Sequence, residues 1–463
     1  MSVLDKPIVH RPAAPPLEAA QIAGRLERLP MTNYQRRIFA IIATAWLVDQ
    51  VDVALLAFLL GTVSVEFGLT PMQAGLLASM TFAGQLVGNV GAGLAADRYG
   101  RRSVFRVTML IWGFASFLAA GAWSAMVLMG CRFLIGVGVG GEAPVAQAMV
   151  SELVPASVRG RYIAFMEGFW AVGYVLSGAI SYFALPHLGW RWVFVIVGSL
   201  SFVVLLVRRG VPESPRWLST KGRFEEAERV VAKMEAEVQR RLDYPLAAPV
   251  PVVGPVAQGE QSSPLATIFS RHYATRTIMA FGLWFFALIG FFGLNSWLAV
   301  LLKGHGFSII GSVGFVTLIT TGGIPGFFTA AWSLERIGRK PTTVLFLLAS
   351  AVSAYVYGQS SGQTGLFVSG FIMQFFMFGM WSCLYAYTPE LYPTWARATG
   401  AGLASAAGRV GAILGPILVP ILVRDHGQLA AFEVGAIGFA LAAALVLLFG
   451  IETRQLPLEQ ASA

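Results

Sequence analysis

The chain is expected to fold as an all-α, polytopic membrane protein with twelve transmembrane helices in two pseudo-symmetric six-helix bundles. Three observations predict this. Of 463 residues, 56% are apolar and 12% charged, with a mean hydropathy of +0.67, far more apolar surface than a soluble core of this length hides. The apolar residues fall into runs of roughly 20, long enough to cross about 30 Å of hydrocarbon. Lipid cannot satisfy open backbone groups, so such runs must be helical. Finally, Asp97-Arg98-Tyr99-Gly100-Arg101-Arg102 returns as Glu335-Arg336-Ile337-Gly338-Arg339-Lys340, and Glu152, Leu153, Pro155 and Arg159 return as Glu390, Leu391, Pro393 and Arg397, all displaced by 238 positions. The second half repeats the first in register.

Taken in order, residues 1–37 form an N-terminal tail with Pro-Ala runs and no apolar core of signal-peptide type. The first bundle, 38–207, holds spans at 38–61, 74–96, 103–122, 125–151, 162–184 and 192–207. A polar central loop, 208–276, follows. Its first part reads as an amphipathic helix with Ala227, Val230, Val231 and Met234 on one stripe and Glu225, Glu226, Glu228, Arg229 and Lys233 toward water. Its continuation, Tyr244 to Pro264, has the composition of a flexible tether. The second bundle, 277–450, holds spans at 277–302, 309–333, 341–359, 364–388, 398–422 and 429–450, and residues 451–463 form a C-terminal tail. Gly100 and Gly338 sit where the backbone must reverse between spans.

The net charge of +9 does not imply nucleic acid, because the basic residues are segregated. Of 33 Lys and Arg, Arg132 and Arg409 lie deep within spans and only Arg191, Lys303 and Arg424 fall in one set of alternating loops; the other 28 lie on the opposite side. That asymmetry assigns both termini and the central loop to the cytoplasm. Cys131 and Cys383 lie in spans and imply no disulfide framework. The five histidines lie in loops or tails, so no His-based metal centre is expected. No Walker-type phosphate cradle is present, which favours an ion gradient over ATP as the energy source.

The repeated clusters, Arg132 followed by a Gly-x-Gly-x-Gly series, Pro212-Glu213-Ser214-Pro215-Arg216-Trp217 and Pro389-Glu390-Leu391-Tyr392-Pro393 together resemble the major facilitator superfamily over nearly the whole chain. Within it, Gly138 to Val145, Ser151-Glu152 and Glu167-Gly168-Phe169-Trp170 look most like bacterial niacin permeases and their synaptic-vesicle-protein-like relatives. The resemblance implies two six-helix halves around a central site, no enzymatic activity, no cofactor, and a proton as coupling ion.

Six charges fall inside spans: Asp49, Asp52, Arg132, Glu142, Glu167 and Arg409. Each, left isolated, costs roughly 2.5–3.5 kcal/mol, so pairing, protonation or a wet cavity must offset them. At 1.5 Å per residue, Asp52 lies about 21 Å from one face and Arg132 about 10 Å from the other, which puts them level in a core of about 30 Å. Asp52 is therefore a candidate proton carrier with Arg132 as switchable partner, a role that also matches the coupling pair of related proton-driven sugar porters. A static ion pair that fixes helix packing is the alternative. Asp49 shares the face of Asp52, and Glu142 is either a buried acid of the same system or a partner for a neighbouring cation. Arg409, about 17 Å into its span, is the candidate for holding a substrate carboxylate; an internal bridge to Glu167 or another span carboxylate is the alternative.

Trp170 and Tyr174 share one helix face, as do Trp381 and Tyr385, and a flat ring can stack among them, although ordinary bundle packing explains any one alone. Comparison with sugar-type relatives places Glu167, Tyr174, Asn295 and Tyr385 at substrate-contacting positions, and the repeat relates Gln147 to Tyr385. Ile289 and Gly290 replace the paired amides expected for a polyol. At the cytoplasmic face, Asp97 and Arg101 are expected to bond across the halves, with Glu152, Arg159, Glu335, Arg339, Glu390 and Arg397 in a matching gate. The expectation is a monomeric secondary transporter of the bacterial inner membrane that imports an aromatic carboxylate, most of all nicotinate, with a proton. Proton-driven efflux of drugs or organic cations, and a non-transporting membrane binder, are the rival readings.

Overall fold

In the computed structural model, residues 17–207, 211–249, 263–393 and 396–454 are described. The first half comprises α2 (Asn33–Glu66), α3 (Pro71–Tyr99), α4 (Arg101–Ala120), α5 (Ala125–Leu153) and α6 (Ala156–Val207). The 52-residue α6 is two spans joined at Gly189, whose φ of 77° and ψ of 170° are non-helical, three residues after Pro186. The second half comprises α10 (Ala274–Leu301), the consecutive α11 (Ile309–Thr320) and α12 (Gly323–Arg336), α13 (Arg339–Gln359), α14 (Gly362–Glu390), α15 (Arg397–His426) and α16 (Gln428–Phe449). With α11 and α12 read as one span, these are twelve. Helices begin where sequence chemistry places them: Thr32 with Gln35, and Thr70 with Gln73, form capping boxes, and Pro71 opens α3.

The repeat is visible in the packing. A Cβ added at Gly84 or Gly88 would lie 2.0 Å from the Phe133 carbonyl oxygen or 2.1 Å from that of Val137, and at Gly322 or Gly326 it would lie 2.6 Å from that of Phe371 or 2.0 Å from that of Phe375. Each contact recurs 238 residues on, because only a missing side chain lets the two backbones approach so closely. Gly100 and Gly338, at φ of 98° and 123°, likewise start α4 and α13. Glu213 accepts from the Arg102 amide at 3.1 Å, and Glu452 accepts from the Arg339 amide at 2.9 Å. A carboxylate thus sits at each helix N-terminus, where free amides and the helix dipole favour negative charge.

Outside the bundle, α7 (Pro215–Thr220) and α8 (Phe224–Gln239) follow the first half, and α9 (Pro264–Ile268) precedes the second. The buried stripe of α8 is Ala227, Val231, Met234 and Val238; Val230 is only half-buried. A short helix not expected from the sequence, α1 (Leu17–Glu27), buries Ile22 and Leu26 and is held by charge. Arg25 and Arg28 each lie 2.6 Å from Glu235, and Glu27 accepts from Arg159 at 3.0 Å and from Arg216. Burial opposes ionisation of Glu235 and Glu27, but these arginine hydrogen bonds outweigh it and hold both carboxyls below the usual range. Most of the expected tether (250–262) and parts of both tails (1–16 and 455–463) lie outside the described residues.

Candidate functional site

Four side chains from four helices converge in the first half. Asp52 and Arg132 are fully buried, and Arg132 Nη1 donates to Asp52 Oδ1 at 2.7 Å. Ser116 donates to Asp52 Oδ2 at 2.7 Å, and Arg132 Nε donates to Thr81 at 2.9 Å. Both charges are therefore paired and hydrogen-bonded, the condition under which buried ions are tolerated. Asp49 and Glu142 are fully buried as well.

Arg409 is placed differently. It is 7% exposed, and its Nη1 donates to Gln85 Oε1 at 2.6 Å, across the boundary between halves. Its Nε has no partner among the described residues. The bridge to Glu167 does not form: Glu167 Oε1 accepts from Gln147 at 2.8 Å instead, and Oε2 is buried without a hydrogen bond. A neutral amide satisfies one oxygen of Glu167 at no cost in charge, while the second amide, Gln85, occupies the arginine.

The aromatic side chains meet, but not as an open slot. Trp170 of α6 and Trp381 of α14 stack directly, with centroids 4.4 Å apart and planes at 26°, and Tyr385 continues the stack at 5.8 Å from Trp381. The expected space for a ring between them is filled by the two indoles themselves. Tyr174 packs edge-on against Phe378 at 5.4 Å and Phe291 at 6.1 Å. Asn295 accepts from Gln374 at 2.9 Å and donates to the Phe291 carbonyl at 3.0 Å. Gln85, Gln374, Trp284 and the Phe291–Phe292 pair complete this region and were not singled out from sequence. A lone amide in an apolar, Gly-rich run carries no periodic signal, and only the facing of the two halves reveals it.

Among the described residues, the charged clusters form ion pairs within each half. Arg101 Nε lies 3.7 Å from Glu152, and Arg339 Nε lies 3.2 Å from Glu390, with Glu335 also 3.2 Å from Arg339. Arg101 donates to the Ala96 carbonyl at 2.9 Å and Arg339 to that of Leu334 at 3.1 Å. Arg397 donates to the Pro389 carbonyl at 3.0 Å, and Arg159 goes to Glu27. The Asp97 side chain lies outside the described residues. The guanidinium of Arg101 turns to Glu152 and Ala96 of its own half.

At this end α3 and α15 part, while α6 and α12 still meet at Gly168 and Phe328. Between α3 and α15, Ser79 donates to the Ile413 carbonyl at 2.7 Å, and a Cβ at Gly75 would lie 2.6 Å from the Pro416 carbonyl. Gly93, five turns on and on the face of Gly75, would meet nothing within 4 Å, and neither would Gly402, two turns from Arg409. The contact runs from Gly75 down to the Gln85–Arg409 bond and then opens, toward the end that bears the repeated clusters.

Two six-helix halves, closed on one side of a buried polar and aromatic centre and open on the other, define a membrane transporter of small molecules, not an enzyme. Residues 36–463 match the family "Sugar (and other) transporter", and the chain belongs to that family of the major facilitator superfamily. It is 37% identical to the niacin transporter NiaP of Acinetobacter baylyi over 95% of this chain and 99% of that protein. It is 35% identical to the putative niacin/nicotinamide transporter NiaP of Bacillus subtilis over 92% of this chain and 98% of that one. Among solved structures it resembles the partially occluded inward open conformation of the xylose transporter XylE from E. coli, with a TM-score of 0.72 and 18% identity over 91% of this chain and 99% of that one.

Proposed function

We propose that this chain imports a small aromatic carboxylate, nicotinate above all, with a proton, by alternating access of its two halves. The observation that carries this reading is Arg409: a guanidinium buried between the halves, offered one neutral acceptor and no carboxylate within ion-pair distance among the described residues. Such a group is completed by an anion with two oxygens in a plane, which a carboxylate supplies as paired, charge-assisted hydrogen bonds. The aromatic wall of Trp170, Trp381 and Tyr385 receives the ring, and Gln147, Glu167, Tyr174 and Asn295 supply polar contacts around it. The names of the two relatives above agree with this substrate.

In this reading Asp52 carries the proton. Protonation removes its charge and releases Arg132, so the first half is rearranged only when the proton is on; Asp49 and Glu142 belong to the same buried acid system. The Arg101–Glu152 and Arg339–Glu390 pairs, with Asp97, Arg159, Glu335 and Arg397, form the cytoplasmic gate. Partly exposed pairs of this kind are worth about 0–1 kcal/mol each, weak enough to exchange in every cycle. The protein acts as a monomer in the bacterial inner membrane with both termini in the cytoplasm, and needs no cofactor.

Uptake of labelled nicotinate into proteoliposomes tests this. An inward proton gradient should drive accumulation, and Arg409→Gln should lower kcat/KM by on the order of 100-fold, as expected when one partner of a buried charge pair is lost. Wild-type rates in Arg409→Gln, or proton-driven extrusion of organic cations by the wild type, would overturn the reading.

A further inference from the structure

We propose that Gln85 is a positioning residue that fills the carboxylate half of the site, so that substrate binds by displacing it from Arg409. This rests on Arg409 being the anchor for the substrate carboxylate. Gln85 is on α3 of the first half and Arg409 on α15 of the second, and their 2.6 Å bond joins the halves at the inner limit of their contact. The amide oxygen of Gln85 is a neutral mimic of one carboxylate oxygen, and one is all it offers; a carboxylate offers two and a charge. The guanidinium therefore prefers the substrate, yet is not left bare in its absence, which would cost a buried unpaired donor.

Only the side chain of Gln85 is free to exchange. A Cβ at Gly140 would lie 2.5 Å from Gln85 Cα, and one at Gly136 would lie 3.0 Å from Gln85 N, so the crossing of α5 clamps the backbone. The ring half of the site is filled in the same manner: Trp170 from one half stacks on Trp381 from the other at 4.4 Å, and Phe82 packs against Phe292 at 4.2 Å with the ring planes tilted by 49°. The protein thus supplies its own ring and its own oxygen across the boundary. A substrate that replaces both breaks the bonds that tie the halves together at mid-depth, which converts occupancy into freedom to move.

Nicotinate binding to purified full-length protein, read by titration calorimetry, tests the proposal because two variants should move in opposite directions. Gln85→Ala removes the competitor and should tighten nicotinate binding by roughly tenfold. Gln85→Glu installs a permanent carboxylate on Arg409 and should weaken it by at least roughly tenfold, while its ligand-free melting temperature stays at or above that of the wild type. If Gln85→Glu cannot be obtained folded, Gln85→Met, which keeps the length and lacks the acceptor, must tighten binding as Gln85→Ala does. Weakening by both Ala and Glu, or no change in either, overturns the proposal. Arg409→Gln separates the two readings: lost binding there with wild-type affinity in both Gln85 variants sinks only the role of Gln85, whereas undiminished binding in Arg409→Gln sinks the anchor itself.

Discussion

The two halves share a scaffold and differ in their centres. Gly84, Gly88, Gly100, Arg101 and Glu152 of the first half recur in the second as Gly322, Gly326, Gly338, Arg339 and Glu390, with the same helix crossings and the same ion pair. At mid-depth the correspondence fails: the positions equivalent to Asp49, Asp52, Arg132 and Glu142 are Ala287, Gly290, Gly370 and Met380. Every carboxylate deep in a span belongs to the first half, and the one deep charge of the second, Arg409, stands where the first has Ala171. The repeat keeps the residues that pack each six-helix body and not the buried charges, so in the proposed mechanism proton handling and anion holding fall to different halves.

The comparison breaks most visibly at the buried pair. Arg132→Met leaves Asp52 charged and unpaired and should destabilise the folded protein by about 3–5 kcal/mol, with much of this recovered in the Asp52→Asn, Arg132→Met double variant; thermal unfolding in detergent checks both. In the second half, Gly290→Ala should cost about 1–3 kcal/mol for a steric reason alone, since its new methyl would lie 2.8 Å from the Phe439 ring. An unchanged melting temperature would mean that α10 and α16 are less tightly packed than described. The duplicated ion pairs should give matched and small effects: Arg101→Gln and Arg339→Gln should each cost about 0–1 kcal/mol, and a large difference between them would show that the repeat no longer carries equal roles.

Smallest is the pH response of α1. Glu27 and Glu235 titrate below the usual glutamate value of about 4.3, so their contribution is complete above that value and is lost as pH falls through the lowered folded values. Amide protection in α1, measured relative to the intrinsic exchange rate at each pH, should therefore fall at acid pH below the ordinary carboxylate range and remain flat between pH 5 and 8. Loss of protection in α1 already at pH 6 would contradict this.

Much of this architecture is legible without coordinates. Apolar run lengths give the spans, the 238-residue offset gives the pairing of clusters, and depth along each helix puts Asp52 level with Arg132, which lie 2.7 Å apart. What is not legible depends on how the halves face each other. Nothing in the pattern of α3 marks Gln85 as the partner of Arg409, and the spacings of Trp170 with Tyr174 and of Trp381 with Tyr385 give a shared face on each helix but not the mutual stack of the two indoles. The gate residues show the same limit: the repeat relates one cluster to the other, whereas the carboxylate that each arginine meets is set by packing.

The central claim, that the first half holds the proton and the second the anion, is tested most directly by Asp52→Asn in proteoliposomes, with nicotinate counterflow and proton-driven accumulation measured side by side. The account predicts that counterflow persists while accumulation against a nicotinate gradient is lost. Accumulation at the wild-type level and stoichiometry in Asp52→Asn would contradict it.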